Sequence, residues 1–361
     1  MTTYFDGIDR NFGFGCMRLP MLGEEVDMEQ TKQMVDLFLE KGFRYFDTAH
    51  GYINGKSELA IREAVSSRYP RDRFLLTNKL SYNFFEKQED IRPLFQQQLE
   101  ACGVEYFDCY LMHALSKARL ARYREAKAFE TALELKQEGK IRHIGISFHD
   151  SAQALEEILQ EFPMIEVVQL QFNYVDFEDE KVQSRKCYEV CRKYGKPVIV
   201  MEPVKGGSLV NLPAAAQNIF DRLKGGSNAS YAIRFAAGFD GIMMVLSGMS
   251  NLEQLRDNVS FMEHFQPLSP GELEAVSRVR AVFRSQGLIN CTACRYCTEV
   301  CPQGIPIPEL FASLNALRQR GEAIAVDGPA PDACLKCGKC EESCPQGLPI
   351  RELLVAASEE R

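Results

Sequence analysis

The chain has 361 residues, 45% hydrophobic and 25% charged, with a formal net charge of −8. That is an ordinary globular composition able to bury a sizeable core, which excludes wholesale disorder, and its scattered Lys and Arg residues lack the basic stripe of a nucleic-acid binder. A single α/β barrel takes about 250 residues, so the length leaves room for one barrel and one small second domain.

The first residues, Met1-Thr2-Thr3-Tyr4-Phe5-Asp6, carry neither a basic start nor an apolar run. No later stretch approaches the roughly 18 apolar residues of a membrane span, so a cytoplasmic protein with no membrane partner is expected. Short β-branched and apolar runs then alternate with longer stretches of helical period, the pattern of repeated βα units. Strands are expected near Phe12–Cys16, Phe43–Asp47, Phe74–Lys79, Phe107–His113, His143–Ser147, Val167–Phe172, Pro197–Glu202 and Gly241–Ser247. Eight parallel strands favour a closed (β/α)8 TIM barrel over an open sheet. Gly103, Gly139 and Gly195 each follow a helical stretch where a left-handed residue ends a helix. In the first strand, Gly13-Phe14-Gly15 contains a Gly-x-Gly without the third glycine and helix of a dinucleotide fingerprint. It therefore reads as a barrel strand, with Met17 just past its end, on the face where a barrel would hold a cofactor.

Ser269-Pro270 is a capping signal that opens an amphipathic helix over Gly271–Arg284, leading out of the barrel. The expected domains are residues 1–268 for the barrel, 269–289 for a linking helix, and 290–361 for a small C-terminal domain. Eight of the thirteen cysteines fall in that last domain, in an internal repeat. Cys-x2-Cys-x2-Cys-x3-Cys-Pro-Gln-Gly at 291–304 returns at 334–347, and Ile-Pro-Ile and Leu-Pro-Ile follow in register. Between the copies Ile307–Arg320 has helical period, and residues 327–331 read as a turn or loop.

Two-residue gaps let three thiolates converge on an iron–sulfur cube while backbone N–H groups point at the sulfides. The alternative is structural zinc, whose Cys-x2-Cys knuckles come in pairs separated by a longer loop, a pattern that three evenly spaced cysteines plus Cys-Pro fit poorly. The segment resembles a bacterial-type two-cluster ferredoxin. In that family the fourth cysteine ligates the other cluster, so the resemblance implies two 4Fe–4S clusters. Cys291, Cys294, Cys297 and Cys344 would hold one; Cys334, Cys337, Cys340 and Cys301 would hold the second. The remaining cysteines, including Cys187 and Cys191, read as buried small hydrophobes.

In barrel enzymes chemistry sits at the C-terminal ends of the strands. Asp47 ends the second strand, Tyr52 follows in the next loop, Lys79 ends the third and His113 ends the fourth. Each alone is weak, since such residues serve as caps, packing groups or structural histidines. Together they make a carbonyl-reducing site. A tyrosine is too weak an acid near neutrality unless an adjacent ammonium favours its phenolate, and Lys79 is expected to lower its pKa. Asp47 would hold Lys79, and His113 would donate to the substrate oxygen.

On Phe46-Asp47-Thr48-Ala49-His50-Gly51-Tyr52, Thr77-Asn78-Lys79-Leu80 and Tyr110-Leu111-Met112-His113, the chain resembles the aldo-keto reductase superfamily over roughly residues 8–260. Gly139-Lys140-Ile141-Arg142-His143-Ile144-Gly145-Ile146-Ser147 and Val168-Gln169-Leu170-Gln171-Phe172-Asn173-Tyr174 look like that family's fifth and sixth strand motifs. The resemblance implies Tyr52 as proton donor, Asp47 and Lys79 tuning it, His113 orienting the carbonyl, and Ser147 and Gln169 on the nicotinamide carboxamide. Met201 stands where many members stack a tyrosine, followed by Pro203 and Gly206 in the cofactor loop. Gly248 permits backbone contact with phosphate, and Asn258 matches the adenine contact. Gln254 replaces the arginine that commonly recognises a 2′-phosphate, so NADP and NAD both remain open.

Three functions are compatible with these residues. One is NAD(P)H-dependent reduction of a small-molecule ketone or aldehyde. Another is an electron-transfer or redox-sensing protein that binds nicotinamide and exchanges electrons with a redox protein at the cluster domain. In the third, the cluster domain is only a structural lid. Clusters carry single electrons and nicotinamide a two-electron hydride, and no flavin signature links them.

Overall fold

The computed structural model describes residues 5, 8–223, 225–321 and 323–360, so most of the N-terminal hexapeptide lies outside the described residues. All eight expected strands form: β1 Phe12–Gly15, β2 Tyr45–Asp47, β3 Leu75–Leu80, β4 Phe107–Leu115, β5 Ile141–Phe148, β6 Val167–Gln171, β7 Val198–Met201 and β8 Ile242–Gly248. Every neighbouring pair is parallel, and β1 closes on β8 to complete the barrel. Gly103, Gly139 and Gly195 adopt the left-handed backbone expected of them, at φ 64°, 75° and 64°. Among the described residues no helix is long and apolar enough to cross a membrane.

Two-residue periodicity sorts the strand side chains. Phe12, Phe14 and Phe46 are buried against Phe38 and Phe43, joining the sheet to the helix Met28–Glu40. Tyr45, Leu75, Cys109, Leu111, Val167, Ile199, Met244 and Leu246 fill the interior as one cluster. Gly145 is required there, because a Cβ would stand 2.5 Å from Val167 Cγ1 and 2.6 Å from Val167 O. Stepping two residues toward the C-terminal end from Tyr45, Leu111 and Val167 reaches Asp47, His113 and Gln169. The functional residues are thus the polar continuation of the apolar filling. β4 carries a register shift between Met112 and Leu115, with Ala114 at φ 51°, so His113 sits on a bulge that re-aims it.

Contacts divide the chain into two compact units, Met1–Pro203 with Ala229–Leu268, and Val204–Asn228 with Ser269–Arg361. The excursion Val204–Asn228, counted with the barrel from sequence, clusters with the second unit, as does the helix Pro270–Ser285, expected as a linker. That helix is opened by a reciprocal cap in which Ser269 and Glu272 each accept the other's backbone N–H. Helices Ile307–Arg320 and Ile350–Glu359 occupy equivalent places in the two cysteine repeats, and Phe311, Leu314 and Leu354 fill the core between them.

Candidate active site and cysteine cavities

β2 ends in Asp47, and the chain then turns so that the Tyr52 N–H donates to Ala49 O at 3.0 Å. Ile53, Asn54 and Gly55 follow with φ of 53°, 53° and 83° before the helix Lys56–Ile61. A β-branched residue in the left-handed region is strained, so surrounding bonds must impose this turn. Ser57 supplies two of them: its hydroxyl donates to Cys16 O at 2.9 Å and lies 2.7 Å from Thr48 Oγ1.

Lys79 is fully buried, and its Nζ donates to Asp47 Oδ1 at 2.5 Å, Thr48 O at 2.7 Å and Tyr52 OH at 3.2 Å. Gln169 Nε2 donates to the other Asp47 oxygen at 3.1 Å. The His113 ring stands 5.9 Å from the Tyr52 ring, edge to face, with Nδ1 2.6 Å from Ser81 Oγ. All four expected catalytic residues therefore converge. Behind them, buried Glu58 accepts from Asn78 Nδ2 at 2.8 Å and pairs with His50 Nδ1 at 2.8 Å. Asn78 and Gln98 then hold the Lys79 backbone at N–H and C=O, both at 2.8–2.9 Å. Ser81 was missed from sequence although it lies two residues beyond Lys79, just past the end of β3, where the two-residue alternation keeps it on the Lys79 side.

The electrostatics reverse one expectation. Burial, followed by the carboxylates of Asp47 and Glu202, holds the Tyr52 phenol well above its ordinary pKa, so Lys79 does not lower it in net. Spacing identifies the ammonium but not the desolvation that outweighs it. Burial also raises Asp47, against the pull of Lys79. His113 is pushed well below its ordinary value by burial and then by the Lys79 charge, which keeps its imidazole neutral.

His149, just past β5, is lowered from 6.5 to about 4 by burial and then by the Arg119 guanidinium. Its unfolded form binds a proton in a range where the folded form does not, so stability is complete above pH 6.5 and declines as pH falls from there toward 4. Thermal denaturation at stepped pH should show that loss, and His149→Gln should reduce the slope; an unchanged slope would reject the assignment.

Ser147 and Gln169 are buried neighbours in register on β5 and β6, and Ser147 Oγ accepts from Ala114 N at 2.7 Å. Met17 lies in the turn after β1, Met201 ends β7, and Pro203 is buried just beyond it. Gly248 ends β8 opposite Gly15. The helix Leu252–Met262 begins close behind, where Gln254 Oε1 accepts from Ser250 N at 2.8 Å and buried Asn258 donates to Ser247 Oγ at 2.8 Å. Gly206 lies in the second unit, packed on Thr292.

The eight clustered cysteines surround two cavities. One is lined by Cys291, Cys294, Cys297 and Cys344; the other by Cys301, Cys334, Cys337 and Cys340. Three thiols in each cavity come from one repeat and the fourth from the other. Among the described residues no three His, Cys, Asp or Glu side chains converge closely enough for a single metal ion. Four thiols around a cavity fit a polynuclear sulfide-bridged group, whose irons take one thiolate each.

Residues 11–281 match the family model described as aldo/keto reductase family, and residues 290–348 the model described as 4Fe-4S dicluster domain. An aldo-keto reductase of Mycobacterium avium (strain 104) is 27% identical over 268 residues, covering 72% of this chain and 85% of the relative. The NADH-specific methylglyoxal reductase of Escherichia coli (strain K12) is 28% identical over 195 residues, covering 48% and 57%. A crystal structure of an aldo-keto reductase from Klebsiella pneumoniae in complex with NADPH superposes with a TM-score of 0.60 at 18% identity, covering 75% of this chain and 90% of that one. At that identity the likeness speaks for the fold.

Proposed function

Because the chain belongs to the aldo/keto reductase family and carries a C-terminal 4Fe–4S dicluster domain, we propose that it reduces a ketone or aldehyde with NAD(P)H, with Tyr52 as proton donor. The observation that carries this reading is the fully buried Lys79 Nζ, bonded at once to Asp47 and to the Tyr52 hydroxyl. A bound nicotinamide supplies the hydride. The raised pKa of Tyr52 keeps the phenol protonated until a basic oxygen takes its proton. As phenolate charge develops, the Lys79 bond to that oxygen strengthens, which stabilises the transition state more than the ground state. Neutral His113 donates from Nε2 toward the carbonyl oxygen, a tautomer in which Nδ1 accepts from the Ser81 hydroxyl 2.6 Å away. Asp47, held by Gln169, fixes Lys79 in place.

Ser147 and Gln169 would hold the carboxamide, with Met17 and Met201 beside the ring and Pro203 shaping the wall. Gly248, Gln254 and Asn258 would receive the phosphate and adenosine end at the start of the helix Leu252–Met262. Gly206 remains in this set by its place in the loop after Pro203. A panel of aldehydes and ketones assayed with NADH and NADPH in parallel tests the reading; no oxidation of either nucleotide across the panel would reject it.

The two cysteine cavities support two 4Fe–4S clusters, each held by three cysteines of one repeat and the fourth of the other, and such groups supply one-electron chemistry. Anaerobically prepared protein should hold about eight iron atoms with absorption that bleaches under dithionite. Stoichiometric zinc without iron after reconstitution would overturn this assignment. The second functional reading, electron exchange with a redox partner, draws on the same cavities. Rapid anaerobic mixing with NADH or NADPH separates the two: cluster bleaching at the turnover rate without a carbonyl substrate favours electron transfer, and unbleached clusters favour reduction within the barrel.

A further inference from the structure

The two cysteine repeats correspond position by position, and their backbones agree. Ala293 and Lys336 are left-handed at φ 53° and 56°, and Arg295 and Gly338 at 66° and 83°. In each repeat one backbone N–H points at the first sulfur, Ala293 N to Cys291 Sγ and Lys336 N to Cys334 Sγ, both at 3.4 Å. These two bonds therefore do not distinguish the halves.

Their surroundings do. Thr292 is 2% exposed, whereas its counterpart Leu335 is 63% exposed. Cys294 is partly covered, whereas its counterpart Cys337 is the one exposed cysteine of thirteen. At Thr292 the excursion after Pro203 packs close against the first half. A Cβ on Gly206 would stand 2.5 Å from Thr292 O and 2.8 Å from Thr292 Cα, and Gly206 has φ 62°. Only glycine lets the two backbones meet this closely in that conformation.

We propose that the quartet Cys301, Cys334, Cys337 and Cys340 is an oxidant-sensitive iron site at which Cys337 gives up its iron, while the Gly206 loop shields the equivalent Cys294. The proposal rests on the cluster assignment above. Oxidation of cysteine-held centres follows access, and Cys337 is where a solute reaches the ligand set. With ferricyanide as oxidant, the Cys337 S–Fe bond breaks and one Fe2+ leaves. One electron passes to ferricyanide to give ferrocyanide, and a 4Fe–4S core of charge 2+ becomes a 3Fe–4S core of charge 1+. The Cys337 thiolate remains on the protein, open to alkylation.

The test uses anaerobic full-length holoprotein with its iron counted. One equivalent of ferricyanide is followed by a short iodoacetamide pulse and peptide mass mapping, with electron paramagnetic resonance on the same sample. Cys337 should be labelled at least about tenfold faster than Cys294, alongside about one 3Fe signal per chain. Labelling of Cys294 as fast as Cys337, or before it, at full iron content overturns the proposal and leaves the cluster assignment standing. Absence of iron after reconstitution overturns both. Gly206→Ala should raise Cys294 labelling toward that of Cys337; unchanged Cys294 labelling in a folded variant with full iron rejects the shielding role.

Discussion

Tyr52→Phe is expected to cut kcat for carbonyl reduction by roughly 10²–10⁴ while leaving the nicotinamide Kd nearly unchanged. The substitution removes the hydroxyl that Lys79 touches at 3.2 Å and keeps the ring that stands edge to face with His113. Packing changes little, so a folding defect does not explain the loss. Because the phenol pKa is raised by burial and by Asp47 and Glu202, activity in the wild type should not fall between neutral pH and the ordinary tyrosine pKa through ionisation of Tyr52. Near wild-type turnover by Tyr52→Phe, measured by nucleotide absorbance with nucleotide affinity checked by titration, would remove Tyr52 from the chemistry.

Lys79→Met should damage both stability and rate. Lys79 and Asp47 are buried together, and removal of one partner strands the other charge, which typically costs roughly 3–5 kcal/mol. In a domain this large that corresponds to a fall in Tm of about 10 °C. Asp47 retains Gln169 as a donor, and its already raised pKa should rise further. The double variant Asp47→Asn with Lys79→Met separates the two effects. It removes the stranded charge, so Tm should recover by several degrees while carbonyl reduction stays lost. Recovery of activity together with stability would show that the pair serves folding alone.

Much of the architecture was legible because its causes are local. Apolar runs of strand length, glycines where left-handed residues end helices, and the cysteine repeat all leave marks within a few residues. The convergence of Asp47, Lys79 and His113 was legible for a related reason: once strand ends are placed, barrel closure brings them together. Properties set by distant parts of the chain were not. The grouping of Val204–Asn228 with the second unit depends on packing against residues from Ser269 onward, which no local pattern records. The direction of the Tyr52 shift depends on burial and on the carboxylates of Asp47 and Glu202, and His149 is lowered by burial and then by Arg119 on another element. Ile53 gives no sequence sign of its left-handed backbone, because the bonds of Thr48, Ser57 and Cys16 impose it.

The crossed arrangement of the cysteine cavities bears on biogenesis. Each half-repeat lends its last thiol to the opposite cavity, Cys301 to one and Cys344 to the other. Neither half supplies four thiols to a cavity alone, so with two clusters bound as proposed each half would clasp the other's centre. Loading by the cell's iron–sulfur delivery machinery should therefore be cooperative, giving molecules either empty or filled at both centres when iron is scarce. A chain ending before Cys334 would retain three thiols at the first centre and one at the second, a complete set at neither.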